Sequence, residues 1–205
     1  MRKVVLFIAM SLDGYIADKN GGVKWLEGQS EKEGDGGAYE DFVKSVDTVL
    51  MGWNTYHQIV TELSPDEWVY DGLSSYVLTS RKPEASAEEE TSGKTAAKGI
   101  TFANETLCDI IGRLKQEEGK NIWICGGADV VRQAMEAGLI DEYRISVIPV
   151  VLGEGIPLFG AGIRETRLKL ERVKTYNGIT ELVYTRRDKR GHFDENEKGG
   201  RRWRS

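Results

Sequence analysis

Four short apolar runs, VVLFIAM (4–10), TVLMG (48–52), SYVLTS (75–80) and NIWICGG (121–127), each stop at a polar or glycine-rich step. That recurrence constrains the fold more than any other feature of the chain. A run that is apolar at nearly every position reads as a strand buried on both faces, which needs helices above and below it. Helical patterns duly alternate with the runs. AYEDFVKSV (38–46) puts Tyr39, Phe42, Val43 and Val46 on one side, and NTYHQIV opens a second helix. Residues 105–118 are amphipathic up to a stop at Gly119, and ADVVRQAMEAG closes at Gly138. GITFA and DEYRISVIPV return to strand character. Two last strands, LKLERVKTY (168–176) and TELVYTRR (180–187), flank Asn177-Gly178, the dipeptide that best accepts the positive φ angles of a tight hairpin. The pattern predicts an α/β fold: three layers, a mostly parallel central sheet, and a C-terminal antiparallel hairpin.

The 205 residues, 40% hydrophobic and 30% charged, suit one domain with a full core, predicted over 1–187. The charged stretch 188–205 reads as a mobile tail, and the polar, low-complexity stretch 82–98 as a surface excursion. A net charge of −5 offers nothing to nucleic acid or a membrane surface. The opening apolar run is broken by Ser11 and Asp13 well short of a membrane span. A cytoplasmic protein acting on a small molecule is expected. Cys108 and Cys125 lack metal-ligand spacing, and His57 and His192 are too scattered to complete a zinc site.

In open α/β sheets ligands collect beyond the carboxyl ends of strands, where helix N-termini offer free N–H groups. Four such ends carry suitable residues here. Gly126-Gly127, ahead of Ala128, Asp129 and Val130, either lets backbone approach a phosphate or simply makes a tight strand-to-helix turn. Gly52, Trp53, Asn54 and Thr55 place a hydroxyl where it would cap a helix or meet a phosphate. Leu78, Thr79, Ser80 and Arg81 offer hydroxyls and a planar cation, as a solvated turn or as a seat for a nucleotide phosphate. Asp13 reads equally as a turn residue, and Trp25 as packing for the long loop after the first strand.

Taken together, the segments SLDGYIA (11–17), DTVLMG (47–52) with Thr55-Tyr56, LTSR (78–81), ICGGA (124–128) and VLGEGIPLF (151–159) resemble the dihydrofolate reductase-like superfamily. The similarity is to the branch holding the reductase domain of riboflavin biosynthesis, and it covers roughly residues 3–186. It implies an NADPH-dependent reductase that passes hydride to a pyrimidine- or pterin-like molecule, with the 5-amino-6-(5-phosphoribosylamino)uracil of riboflavin biosynthesis as one candidate substrate. By position, Ala9 and Ile16 would flank the nicotinamide, Gly52 to Thr55 the pyrophosphate and adenosine side, Leu78 to Arg81 the adenosine phosphate, and Gly126 to Val130 the pyrophosphate. It further implies a cis peptide between Gly126 and Gly127, and a homodimer as the assembly to test.

Relatives commonly carry Arg directly after the glycine of the second segment. Here Trp53 stands there, so Arg81 or Lys82 has to supply the charge. No carboxylate takes the place that dihydrofolate reductases use on their first helix, so folate reduction itself is not expected. Asp13, Trp25, Tyr39, Glu40 and Ser146 are the substrate-side candidates, and Asp18 to Gly28 the candidate lid. A reductase of another imine or carbonyl compound, and a nucleotide-binding protein without turnover, are the competing readings.

Overall fold

The computed structural model describes residues 1–30, 38–81 and 99–187; the stretches 82–98 and 188–205 lie outside them. Strands β1 (Val4–Ser11), β3 (Val46–Gly52), β4 (Ser74–Leu78), β5 (Ile100–Ala103), β6 (Asn121–Gly126), β7 (Glu142–Ile148), β9 (Leu168–Tyr176) and β10 (Ile179–Arg186) form one eight-stranded sheet. Their order is β5-β4-β3-β6-β1-β7-β10-β9. Every pairing from β5 to β7 is parallel, and β10 turns the sheet antiparallel against β7 and β9. Two very short strands, β2 (Tyr15–Ala17) and β8 (Ile156–Pro157), pair separately and tie the loop after β1 to the loop after β7.

Alternation along the strands sorts side chains onto two faces. On one face Leu6, Leu50, Ile122, Ile124 and Tyr143 pack under α3 (Leu107–Leu114) and α4 (Ala128–Glu136). On the other, Val5, Val49, Met51 and Trp123 pack under α1 (Ala38–Lys44), whose Phe42 is fully buried. α2 (Trp53–Gln58), extended by one π-helical turn (Ile59–Leu63), lies on this second side through Ile59 and Tyr56. The result is the three-layer arrangement expected from the sequence.

Several predicted boundaries move. The first helix stops at Lys44, and Val46 is the first residue of β3 rather than part of a helical face. The helix expected over 105–118 is shorter, because Thr106 caps its N-terminus by accepting from the Asp109 N–H at 3.2 Å, and turns replace helix after Leu114. Strand β4 ends at Leu78, which leaves Thr79 to Arg81 as strand-end loop.

The amino ends of the strands are locked by Arg2, which is buried just before β1. Its guanidinium donates to the carbonyls of Lys120 at 2.7 Å and Leu114 at 3.3 Å, to Thr48 Oγ1 at 2.7 Å, and to the Asp47 carboxylate. Asp47 also accepts from the Lys120 N–H at 2.7 Å. This network lies at the edge opposite the carboxyl ends, which are left free to carry chemistry.

Candidate active site

The carboxyl ends of β1, β3, β4 and β6 open into a cleft of about 1190 Å³. That exceeds the usual range of small-ligand pockets, about 300–1,000 Å³, and leaves room for an extended ligand with a second ring beside it. Every residue assigned to the cofactor from sequence lines this cleft: Ala9, Ile16, Gly52 to Thr55, Leu78 to Arg81, and Gly126 to Val130. The four strand ends are separate in the chain and adjacent in space because β4-β3-β6-β1 are consecutive in the sheet.

The middle of the cleft is backbone. Gly126 has φ 141°, its peptide bond to Gly127 is cis, and Gly127 caps α4 without any side-chain hydrogen bond. A Cβ on Gly127 would stand 3.2 Å from Thr55 Oγ1, and one on Gly52 would stand 3.2 Å from Val130 Cγ2. Glycine at both positions keeps this stretch narrow enough for backbone to touch a ligand. The α4 N-terminus adds free N–H groups and the positive end of its dipole, which together suit a phosphate. Thr55 does not cap α2; Gly52 is the capping residue, and the Thr55 hydroxyl faces Gly127 instead.

At the β4 end the Arg81 guanidinium lies over the Trp53 ring, 5.3 Å from its centroid. The Thr79 hydroxyl accepts from the Arg81 N–H at 3.0 Å and shapes the turn. Two acids share this region of the lining, Glu105 and Asp129. Each has a cation of its own, Arg113 at 3.3 Å and Arg132 at 2.5 Å, and the Arg132 pairing holds the Asp129 carboxyl below the usual range. Arg81 is the only Lys or Arg among the described residues of the cleft.

The β1 end is different in kind. Phe7, two residues before Ala9 on the same face of β1, stacks on Phe42 at 4.2 Å and lies 6.4 Å from Tyr39. Trp123 fixes the neighbouring strand by donating from Nε1 to the Phe7 carbonyl at 2.9 Å. The Tyr70 ring meets Trp123 edge-on at 5.0 Å, and its hydroxyl is 3.2 Å from Cys125 Sγ. Burial pushes the Cys125 thiol up to about 11 and raises both Tyr39 and Tyr70, so these three groups are neutral near neutral pH, while the Arg144 guanidinium, paired with Glu142 at 2.6 Å, lies over the Phe42 ring 5.3 Å from its centroid.

Of the substrate-side candidates, Tyr39 lines the cleft, whereas Asp13, Trp25, Glu40 and Ser146 do not. Asp13 is occupied with loop geometry. Its carboxylate accepts from Ser11 Oγ at 2.6 Å and from the Leu152 and Gly153 N–H groups at 3.1 and 2.7 Å. The Ser11 hydrogen bond is the main reason its pKa falls below the ordinary carboxylate value. Trp25 donates to the Gly22 carbonyl at 3.1 Å within its own loop, and Glu40 is exposed on the outer side of α1. Ser146 is buried on β7 directly opposite Ala9, one strand removed from the opening. Within the candidate lid, Asn20, Gly21, Val23 and Leu26 reach the cleft, and the Gly21 carbonyl accepts from Gln58 Nε2 at 2.7 Å.

Phe7, Trp123, Cys125 and Tyr70 were not among the candidates. Phe7 and Cys125 carry a period-two signal, each sitting two positions before a residue already assigned to the cleft. Tyr70 carries none, because it reaches the site from an irregular segment between α2 and β4.

Residues 2–183 match the family model of the RibD C-terminal domain. The uncharacterized protein YwjB of Bacillus subtilis is 43% identical over 187 residues, 90% of this chain and 98% of that protein. The riboflavin biosynthesis protein RibD of Aquifex aeolicus is 25% identical, matching 88% of this chain but 56% of that longer protein. Among solved structures, a Shewanella sp. PV-4 protein whose name points to riboflavin biosynthesis superposes with TM-score 0.74 at 29% identity, covering 91% of this chain and 99% of that one. A deaminase/reductase of Thermotoga maritima, with TM-score 0.64 at 15% identity over 90% of this chain and 56% of its own, shares the fold. The architecture is the dihydrofolate reductase-like fold. Among the described residues no helix is long and apolar enough to cross a membrane, and no cluster of His, Cys, Asp and Glu could hold a metal.

Proposed function

The chain belongs to the family of the RibD C-terminal domain, and from that membership we propose an NADPH-dependent reductase that passes hydride to the C=N carbon of a pyrimidine- or pterin-like molecule. The observation that carries the proposal is the meeting of three phosphate-suited features in one cleft: the Gly126-Gly127 step at the α4 N-terminus, the Thr55 hydroxyl, and the Arg81 cation. When bound, the coenzyme supplies the hydride from its nicotinamide C4, and the chemistry resides there.

The protein's own part is placement. Gly126, Gly127 and the first N–H groups of α4 would hold the pyrophosphate, with Gly52 keeping α4 close to β3. Arg81, steadied on Trp53, would face the 2′-phosphate. Ala9 and Ile16 would confine the nicotinamide ring beside the apolar wall at the end of β1. The loop bearing Val23 and Leu26 would cover the ring and exclude water. Isothermal calorimetry with NADPH and NADP⁺ tests the binding, and loss of absorbance at 340 nm with a panel of pterins and pyrimidines tests turnover. A native protein that takes up neither nucleotide at millimolar concentration overturns the proposal.

A further inference from the structure

When the carbon of a C=N bond takes a hydride, its nitrogen has to take a proton, and that step still lacks a donor. Three side chains that carry a proton come together at the β1 end of the cleft: Tyr39 from α1, Cys125 from β6, and Tyr70 from the irregular segment before β4. Cys125 follows Ile124, the partner of Leu6, so it stands level with Phe7 on β1, two residues back from Ala9. A ring that meets the nicotinamide from this side rests at that level. Tyr70 is held firmly there. Its ring stands edge-on to Trp68 at 5.3 Å and to Trp123 at 5.0 Å, with interplanar angles of 87° and 82°. Its carbonyl accepts from the Leu73 N–H at 3.0 Å, which closes the turn that carries it. The hydroxyl is thereby fixed 3.2 Å from Cys125 Sγ. Tyr39 is 41% exposed, and its ring lies 6.4 Å from Phe7 and 6.2 Å from Trp123 as a further face of the wall. Arg144, in register with Phe7 on β7, is engaged by Glu142 and the Phe42 ring.

We infer that Tyr70 is the acid of the reaction, its hydroxyl giving a proton to the substrate nitrogen as hydride reaches the neighbouring carbon. That role rests on the reductase proposal. The C–H bond at nicotinamide C4 breaks, a C–H bond forms at the substrate carbon, and the C=N π pair moves onto nitrogen. Nitrogen takes the Tyr70 proton, and the coenzyme ends oxidised. A nitrogen that has just gained an electron pair is more basic than a phenolate, so this transfer runs downhill. The phenolate then takes a proton from Cys125 Sγ, and water reprotonates the thiolate. Burial raises Tyr70 further than it raises Cys125, which reaches about 11, so the proton passes from thiol to phenolate.

Four proteins test this: wild type, Tyr70→Phe, Tyr39→Phe, and the chain carrying 3-fluorotyrosine in place of Tyr70. NADP⁺ uptake is read by calorimetry, and turnover by NADPH oxidation with pterins and pyrimidines, 5-amino-6-(5-phosphoribosylamino)uracil included. Tyr70→Phe should bind NADP⁺ within about twofold of wild type and raise KM by no more than about tenfold, while kcat falls about 100-fold or more, the size of a missing general acid. Fluorotyrosine keeps the hydroxyl and should hold kcat within about fivefold of wild type, as should Tyr39→Phe. In the NADP⁺ complex no hydride passes, so binding alone is seen by quenching of tryptophan fluorescence. There wild type should prefer the compound that turns over to its analogue with C–H in place of the acceptor nitrogen by about fivefold, and Tyr70→Phe should bind both alike. A kcat for Tyr70→Phe within about fivefold of wild type overturns the role, and so does an equal loss in Tyr39→Phe or in the fluorotyrosine protein. Loss of NADP⁺ binding in step with kcat overturns it too, since the hydroxyl would then serve the fold. Wild type that takes up NADP⁺ and oxidises NADPH with no compound of the set removes the role and leaves nucleotide binding standing. Native protein that takes up no nucleotide overturns the reductase proposal itself.

Discussion

Replacing Arg81 by Ala removes the one cation that the described part of the cleft can offer an adenosine 2′-phosphate. A phosphate monoester carries about −1.5 to −2 charges at neutral pH. One unit charge pair 4 Å apart is worth about 1 kcal/mol in water, so the pair with a dianion is worth about 2 kcal/mol. Arg81 is exposed, which makes the aqueous value the right one, and a Debye length of about 8 Å at physiological salt trims it further. Between about 1 and 2 kcal/mol remains, or about 5- to 30-fold in Kd for NADPH. Neither neighbouring acid compensates, since Glu105 and Asp129 keep their own partners, Arg113 and Arg132. NADH, which lacks the phosphate, should lose less than twofold. Arg81→Lys keeps the charge but not the planar stack on Trp53, and should fall between. Calorimetric titration of the three proteins with both coenzymes, at low salt and at about 0.5 M salt, checks this; the difference between coenzymes should shrink as salt rises. If NADPH and NADH weaken by the same factor in Arg81→Ala, the guanidinium does not meet the 2′-phosphate and the orientation proposed for the nucleotide is wrong.

Other sites give cleaner readings of stability and backbone geometry. Asp47→Ala strands the buried Arg2 guanidinium with two carbonyls and a hydroxyl, and should cost about 2–3 kcal/mol in urea unfolding, below the 3–5 of a fully enclosed pair because Asp47 is partly exposed; a loss under about 1 kcal/mol refutes the role of this network. Gly127→Val keeps an allowed φ of −82° but sets a side chain against Thr55, so NADPH binding should vanish while the melting temperature holds within a few degrees; unchanged affinity rules out backbone contact there. The Asp13 carboxyl titrates lower folded than unfolded, chiefly because it accepts from Ser11 Oγ, so its hold on Leu152 and Gly153 is fully present above the ordinary carboxylate value and is lost only as pH falls through its lower folded value. Amide-exchange protection at residues 152–153 should therefore fall at neutral pH in Asp13→Ala, and protection left unchanged by that substitution contradicts the role of this carboxylate.

Long-period features of the fold were legible, and features of two or three residues were not. The β9 strand runs over the predicted residues, and Asn177 and Gly178 take φ values of 45° and 73° at the turn between β9 and β10, as the dipeptide implies. The pairing of β2 with β8 left no trace in periodicity, since a strand of two or three residues shows no alternation. Its sequence signal lay in Asp13-Gly14 and in Gly153 and Gly155, which read as turns and turn out to be where two loops are tied together. Val46 was assigned to the wrong element because an apolar residue at the end of a short helix and one at the start of a strand look alike until a hydrogen-bond pattern separates them.

The same contrast divides the cleft. Its middle is made of backbone, and backbone that must come close is written as glycine at a strand end, a signal visible in one place in the chain. Its β1 end is made of side chains from β1, α1, β6 and the segment before β4, and no local pattern announces that Phe7, Tyr39, Cys125 and Tyr70 face one volume. Tyr70 and Cys125 are 55 positions apart and meet only because the irregular segment before β4 brings the Tyr70 hydroxyl to the end of β6. These two kinds of construction also respond differently to substitution. Exchanging a wall residue changes the shape of the β1 end while Gly52, Gly126 and Gly127 keep their geometry, whereas a Cβ at Gly52 or Gly127 crowds Val130 or Thr55 at 3.2 Å. The middle of the cleft is therefore set by backbone that the fold dictates, and its β1 end by a few aromatic side chains that the fold carries.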